Sequence, residues 1–104
     1  MFGLRKEEVL DINEVIQTRD KGSILLDVRE PDEYEEGHIP DSINIPVDTI
    51  GKTELKFDKD SCIYVYCQTG MRAMRAVRIL KKLGYTNTKN IGGILSYRGE
   101  VEKG

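Results

Sequence analysis

Cysteine and histidine are scarce: the 104 residues include two of the first and one of the second. Two Cys and one His cannot supply a closed structural zinc site. The cysteines do not read as a disulfide either. Cys62 and Cys67 fall in one strand-like run, where five steps of about 3.3 Å set them roughly 16 Å apart, far beyond the roughly 4.4–6.8 Å a disulfide spans. Their odd offset also sends them to opposite faces. At least one is therefore free, which suits a reducing compartment, and Cys62 reads as a small buried hydrophobe. Long apolar runs are missing as well, which excludes a membrane-spanning helix. So is a large charge of one sign. Sixteen basic residues stand against eighteen acidic ones, a net charge of -2, so nothing in the total argues for nucleic acid or a membrane as partner. Acidic residues in "MFGLRKEEVLD" fall where a secretory leader would be apolar. These absences predict a cytoplasmic protein, or one domain of a longer one. No internal repeat or low-complexity segment is visible.

What is present is ordinary for a globular chain: 38% hydrophobic and 33% charged residues. The length predicts a single domain over 1–104. "LDINEVIQTRDKG" reads as a short helix with Asp11 as N-cap and Glu14 completing a capping box. Its apolar face is Ile12, Val15 and Ile16, and Gly22 is its stop. "SILLDV", residues 23–28, is a continuous apolar run of strand length, as expected of a strand buried on both faces. "EPDEYEEG" suits one or two helical turns, with Pro31 at N1, acidic residues in the first turn and Gly37 as the stop. "SINIP" is a short strand ended by Pro46. Residues 47–60 read as loop with one helical turn. "CIYVY", residues 62–66, is β-branched and aromatic, hence a central strand. Ala73, Met74, Val77, Leu80 and Leu83 give an apolar face to a helix from Met71. "NTKNI" is the last strand, "GG" a turn and "ILSYRGEVE" a closing helix. Strand and helix in alternation imply a parallel sheet covered on both faces.

In such a sheet, ligands bind where strand C-termini meet helix N-termini. "CQTGMR", Cys67 to Arg72, sits at that junction. The thiolate is the nucleophilic form of cysteine, and the positive end of a helix dipole favours it. Backbone N–H groups from Gln68 to Arg72 can wrap an anion-binding concavity. Gly70 permits the positive φ such a wrap needs. Thr69 can hydrogen-bond locally through its hydroxyl, and Met71 opens the helix. Arg72 adds a fixed charge able to fork onto an oxyanion. The bland alternative is an inert buried Cys67 before a plain "TG" turn.

These residues resemble the active-site loop of rhodaneses, Cys-x-Ser/Thr-Gly-x-Arg. "LLDVREPDEYEEGHIPDSINIP", residues 25–46, resembles the N-terminal signature of that family, and "NIGGILSY", residues 90–97, its C-terminal one. All three match in order and spacing and span most of the chain. The resemblance implies an α/β fold with a five-stranded, mostly parallel sheet flanked by helices on both faces. It implies a sulfurtransferase in which Cys67 accepts a sulfane sulfur from thiosulfate or a similar small anionic donor. The resulting persulfide passes its sulfur to cyanide, a thiol or a protein acceptor, by ping-pong covalent catalysis. No cofactor or metal is expected. Loop dipoles and Arg72 would offset the repulsion between thiolate and dianion.

The implied fold is shared with the cell-division-cycle dual-specificity phosphatases and some arsenate reductases, whose loops resemble Cys-x5-Arg. Here four residues separate Cys67 from Arg72. The shorter loop closes a smaller ring of N–H groups, which suits a terminal sulfur better than a tetrahedral phosphate ester. A persulfide carrier serving a protein partner and a non-catalytic rhodanese-like binding module are the other readings, the latter disfavoured by the presence of Cys67. Asp27 and Arg29 end the "LLDVR" strand on the same edge as Cys67, and the resemblance favours a supporting, second-layer role for them. His38, in "GHIP", reads as structural rather than as a partner of Cys67. The basic residues after Arg72 read as a solvated face, with Arg75 near enough to the loop to attract anions. Asp41 and Ser42 depart from the family's usual Gly-Ala after "GHIP", and Tyr97 stands where the family often has Trp; both read as tolerated structural variation, although Asp41 could alter the local charge near the pocket.

Overall fold

The computed structural model describes residues 8–104; most of the segment read against a secretory leader lies outside them. The elements in chain order are α1 (Ile12–Thr18), β1 (Ile24–Asp27), α2 (Pro31–Glu36), β2 (Ile43–Asn44), a 3₁₀ segment (Val47–Lys52), β3 (Ile63–Cys67), α3 (Met71–Lys82), β4 (Thr88–Gly93) and a short 3₁₀ turn (Ile94–Ser96). The strands form one parallel sheet in the order β2-β1-β3-β4.

Both faces of this sheet are packed, as the continuous apolar runs of β1 and β3 require. Successive side chains point to opposite faces, so β1 and β3 each supply two cores. Leu26, Ile63 and Val65 face Ala73, Ala76, Val77 and Leu80 of α3, together with Val47 and Ile50. Leu25, Tyr66 and Ile91 face Ile12 and Val15 of α1, with Ile39. Tyr66 is wholly buried, and its hydroxyl accepts from the Ile39 N–H and meets the Ser42 hydroxyl.

Several boundaries differ from the sequence reading. The sheet has four strands among the described residues. The place beside β4 where a fifth would lie holds a single parallel bridge, Val9 to Asn90, with the Leu10 N–H on the Asn90 carbonyl at 2.9 Å. Pairing cannot extend C-terminally, because Asp11 caps α1 at once through the Asn13 and Glu14 N–H groups. Helix α1 ends at Thr18, well before Gly22, since Arg19 takes an extended conformation and turns its guanidinium onto the Ser23 carbonyl. Leu83 is exposed beyond the end of α3, and Ala76 takes its place on the apolar face. Cys62 precedes β3 and is only half-buried, not enclosed. Glycines 92 and 93 belong to β4 rather than to a turn.

The closing helix does not form. After the 3₁₀ turn the chain runs irregularly, and residue 102 bridges residue 38 in antiparallel fashion. Long-range partners take the backbone groups that a helix would pair internally. The Asn13 side chain donates to the Ser96 carbonyl and accepts from the Arg98 N–H, and His38 exchanges both backbone bonds with Glu102 at 2.8 Å. Tyr97, in the place of the family's Trp, packs against the α1 side and donates its hydroxyl to the Glu100 carbonyl.

Asp41 explains its own departure from Gly. Its φ is +73°, the left-handed conformation that favours glycine and that Asp tolerates better than most residues. Its carboxylate is held by Arg19, so its charge is paired there. Ser42 uses its hydroxyl on the Ile39 carbonyl.

Candidate active site

Cys67 is the last residue of β3, one position later than the strand read from sequence, and is 1% exposed. Its Sγ accepts the Gly70 N–H at 2.9 Å and the Ala73 N–H at 3.3 Å. Gly70 is the N-cap of α3 with φ +111°, the left-handed value the loop reading required. The chain thus turns back over its own cysteine, and two backbone dipoles meet at sulfur. Such a cradle suits an anionic sulfur at that point. Thr69 is exposed, and its hydroxyl, although able to bond locally, makes no hydrogen bond among the described residues. Met71 is 67% exposed at the loop's outer end.

The loop leans on β4. Cys67 pairs with Gly93 across a register shift, because three steps of β4 match two of β3 after Val65 and Asn90. The extra residue is a bulge. Asn90 spans it, accepting the Gly92 N–H at 2.8 Å and reaching the Gly70 carbonyl at 3.4 Å. Gly93 lies so close beneath the loop that a Cβ there would stand 2.1 Å from the Gln68 carbonyl oxygen and 2.6 Å from the Thr69 Cα. Backbone, not a movable side-chain tip, fills that space. Gly93→Ala is therefore expected to displace the loop, lowering stability by about 1–3 kcal/mol and removing most reactivity at Cys67. Chemical denaturation and the thiol alkylation rate would show it, and wild-type values in both would refute the close approach.

Asp27 and Arg29 lie on the same sheet edge, with Asp27 opposite Tyr66. Asp27 is fully buried and Arg29 nearly so. The guanidinium forks onto the carboxylate, with Nη2 at 2.7 Å and Nε at 3.0 and 3.1 Å. Its remaining donors reach the Gly37 carbonyl at 2.8 Å and the Gln68 side-chain oxygen at 3.3 Å. Burial works against the Arg29 charge, but the bonds and attraction of Asp27 outweigh it and leave the pKa raised. The pair ties β1, the α2 C-terminus and the half-buried Gln68 to one another, and so supports the loop.

Arg72 does not stand free. Its fork is filled by Glu33 of α2, with Nη1–Oε1 at 2.7 Å and Nη2–Oε2 at 3.0 Å. The bond to Arg72, opposed by partial burial, is the main reason the Glu33 carboxyl is pushed down from 4.5 to about 2. Its contribution to stability is therefore complete above pH 4.5 and fades as pH falls toward 2. Glu33 also accepts the Glu30 N–H at 2.9 Å, closing a capping box on α2. That box shows in the sequence only as a helix start; its reach to a residue 39 positions away does not. Arg75 pairs with Asp48 on the surface. His38 stacks on Tyr34 with ring centroids 3.7 Å apart, and its Nδ1 lies 2.8 Å from the Tyr34 carbonyl, which gives it a structural place.

Open grooves flank the loop. One of about 430 Å³ meets it at Thr69, with Asp11, Asn13 and Arg98. Another of about 320 Å³ meets it at Gln68, with Arg29, Glu33, Glu36, Ile94 and Val101. Among the described residues no helix is long and apolar enough to cross a membrane.

A family model described as "Rhodanese-like domain" matches residues 11–100. A Bacillus subtilis protein is 38% identical over 79 residues, 75% of this chain; the chain spans 63% of that relative's length. The thiosulfate:glutathione sulfurtransferase of Saccharomyces cerevisiae is 33% identical over 99 residues, covering 83% of this chain and 71% of that protein. A solved Escherichia coli rhodanese superposes with a TM-score of 0.71 at 32% identity, over 79% of this chain and 99% of that one.

Proposed function

Because the chain belongs to the rhodanese-like family, we propose that it is a sulfurtransferase working through a persulfide on Cys67. The observation that carries the reading is the cysteine sulfur at a strand end under two converging N–H donors. The Cys67 thiolate attacks the outer sulfur of a donor such as thiosulfate. The new S–S bond forms as the donor's S–S bond breaks, and sulfite leaves with the electron pair. The terminal sulfur of the persulfide carries the charge, within reach of the loop's N–H groups. Cyanide or a thiolate then attacks that terminal sulfur and takes it away, and the Cys67 thiolate returns. Gln68, Thr69 and Met71 line the approach, while Asp27 and Arg29 act through Gln68.

A protein acceptor is the second reading. It is favoured by Met71 and Leu95, which are both largely exposed; Leu95 joins the loop through its N–H on the Gln68 carbonyl. Phosphoryl transfer is disfavoured because four residues separate Cys67 from Arg72 and the Arg72 fork is already occupied by a carboxylate. Intact-mass measurement tests the proposal. Treatment with excess thiosulfate, or with a low-molecular-weight persulfide, is expected to add one sulfur to Cys67, removable by cyanide. No gain from either donor would overturn it.

A further inference from the structure

The chain beyond Tyr97 is a strap that belongs to neither core. No residue from 98 to 104 joins the two buried clusters, and Glu100 to Gly104 are all exposed. Residues 101–104 also lie past the stretch that the family model matches. Yet the strap is firmly aimed. Tyr97 folds its ring over Gly99 and donates its hydroxyl to the Glu100 carbonyl at 2.9 Å, which turns the chain back. Glu102 then exchanges both backbone hydrogen bonds with His38 at 2.8 Å, and the Gly104 N–H reaches the Glu35 carbonyl at 2.8 Å. Val101 lies over Gly37, 3.5 Å from where a Cβ would stand. The strap thus meets the end of α2 and the two residues after it.

That end has little else to fix it. Helix α2 has six residues and buries none of them, and it is packing that normally steadies so short a helix. The same segment carries two tethers of the cysteine loop. Glu33 grips Arg72. The Gly37 carbonyl accepts Arg29 Nη2 at 2.8 Å, and Arg29 Nη1 reaches the Gln68 side-chain oxygen at 3.3 Å. A run of bonds therefore leads from Glu102 through His38, Gly37 and Arg29 to Gln68. An exposed strap with few buried contacts is held by its backbone bonds and opens without the cores.

Resting on the sulfurtransferase reading, we infer that Glu102 is a positioning residue for the active site: its backbone pairing with His38 fixes the end of α2 and, through the Gly37 carbonyl and Arg29, holds the Gln68 side chain where it lines the approach to Cys67. The two N–H groups at Sγ belong to Gly70 and Ala73 and lie outside this path. The strap therefore sets how a substrate approaches and leaves the reactivity of the thiol itself alone.

Thiosulfate:cyanide turnover is measured on the full chain, as wild type and as Glu102→Pro. Proline has no N–H for the His38 carbonyl. Loosening Gln68 by the net worth of one hydrogen bond is expected to raise KM for thiosulfate roughly fivefold, with kcat within about twofold. Alkylation of Cys67 by iodoacetamide should keep its wild-type rate. Glu102→Gln restores the N–H and should recover the wild-type KM. In a Gln68→Ala background Glu102→Pro should have no further effect, because both changes act on one path. Tyr97→Phe keeps the ring and loses the bond to Glu100, so it should raise KM by a smaller factor, and it carries the test if the proline variant unfolds. An unchanged KM in these variants, equal losses in turnover and alkylation, a Glu102→Gln as poor as the proline, or additive effects with Gln68→Ala would each overturn the inference while leaving sulfur transfer intact. A wild type that gains no sulfur from thiosulfate or from a low-molecular-weight persulfide would overturn it together with the sulfurtransferase reading.

Discussion

Cys67→Ser should abolish sulfur transfer, by three orders of magnitude or more, while the protein stays folded. A hydroxyl can accept from the Gly70 and Ala73 N–H groups that now point at Sγ, so neither donor is left unpaired in a buried place. What the variant loses is the nucleophile itself. Among the described residues a serine hydroxyl has no paired base to activate it: the one histidine is turned to the Tyr34 carbonyl and to Glu102, and removal of a covalent nucleophile leaves only the background rate. Cys67→Ala should be equally inactive and somewhat less stable, because it strips both N–H groups of their acceptor. Stopped assays with cyanide as acceptor, beside thermal unfolding of both variants, separate these effects. A Cys67→Ser protein that still gained one sulfur would place the nucleophile elsewhere, and Cys62 would be the next thiol to examine.

Asp27→Ala should be the most damaging single change to stability. Arg29 is buried and keeps its charge, raised by Asp27 above its ordinary pKa. Removing the carboxylate leaves a guanidinium whose only hydrogen-bond partners among the described residues are the Gly37 carbonyl and the Gln68 side chain. Breaking a buried pair from one side costs about 3–5 kcal/mol, because the remaining charge is neither solvated nor compensated. The Asp27 carboxylate also holds the Arg29 N–H at 2.9 Å, so the turn out of β1 loosens with it. Urea unfolding should show the loss, and Asp27→Asn should fall between the two. A loss below about 1 kcal/mol would mean that water or a rearranged Arg29 takes over the charge. Activity should fall as well, since Gln68 loses a firmly placed donor.

The tie from Arg29 to Gln68 marks the border between what could be read along the chain and what could not. Local signals carried far. Continuous apolar runs in β1 and β3 required burial on both faces, and two separate cores lie there. Asp11, Pro31 and Gly70 each reported their own backbone state, because a cap, an N1 proline and a left-handed glycine are properties of one or two residues. The failures came where partners are distant. "ILSYRGEVE" was read as helix from its own composition, yet Asn13 and His38, 64 or more positions from the residues they bond, took its backbone groups. "GG" looked like a turn because only the folded sheet shows Gly93 against the back of the cysteine loop. Arg72 looked free because Glu33 lies 39 positions away.

By itself, then, the sequence determined the alternation of strand and helix, the strand–loop–helix setting of "CQTGMR" and the choice of Cys67 as the nucleophile we propose. All three rest on periodicity and on residue chemistry over a few positions. Only the tertiary structure decided the charge left at Arg72, whose fork Glu33 fills. That charge depends on which side chains come within a few ångströms of Arg72, and ion pairing is a function of distance in space, where Glu33 is adjacent and the chain between is not.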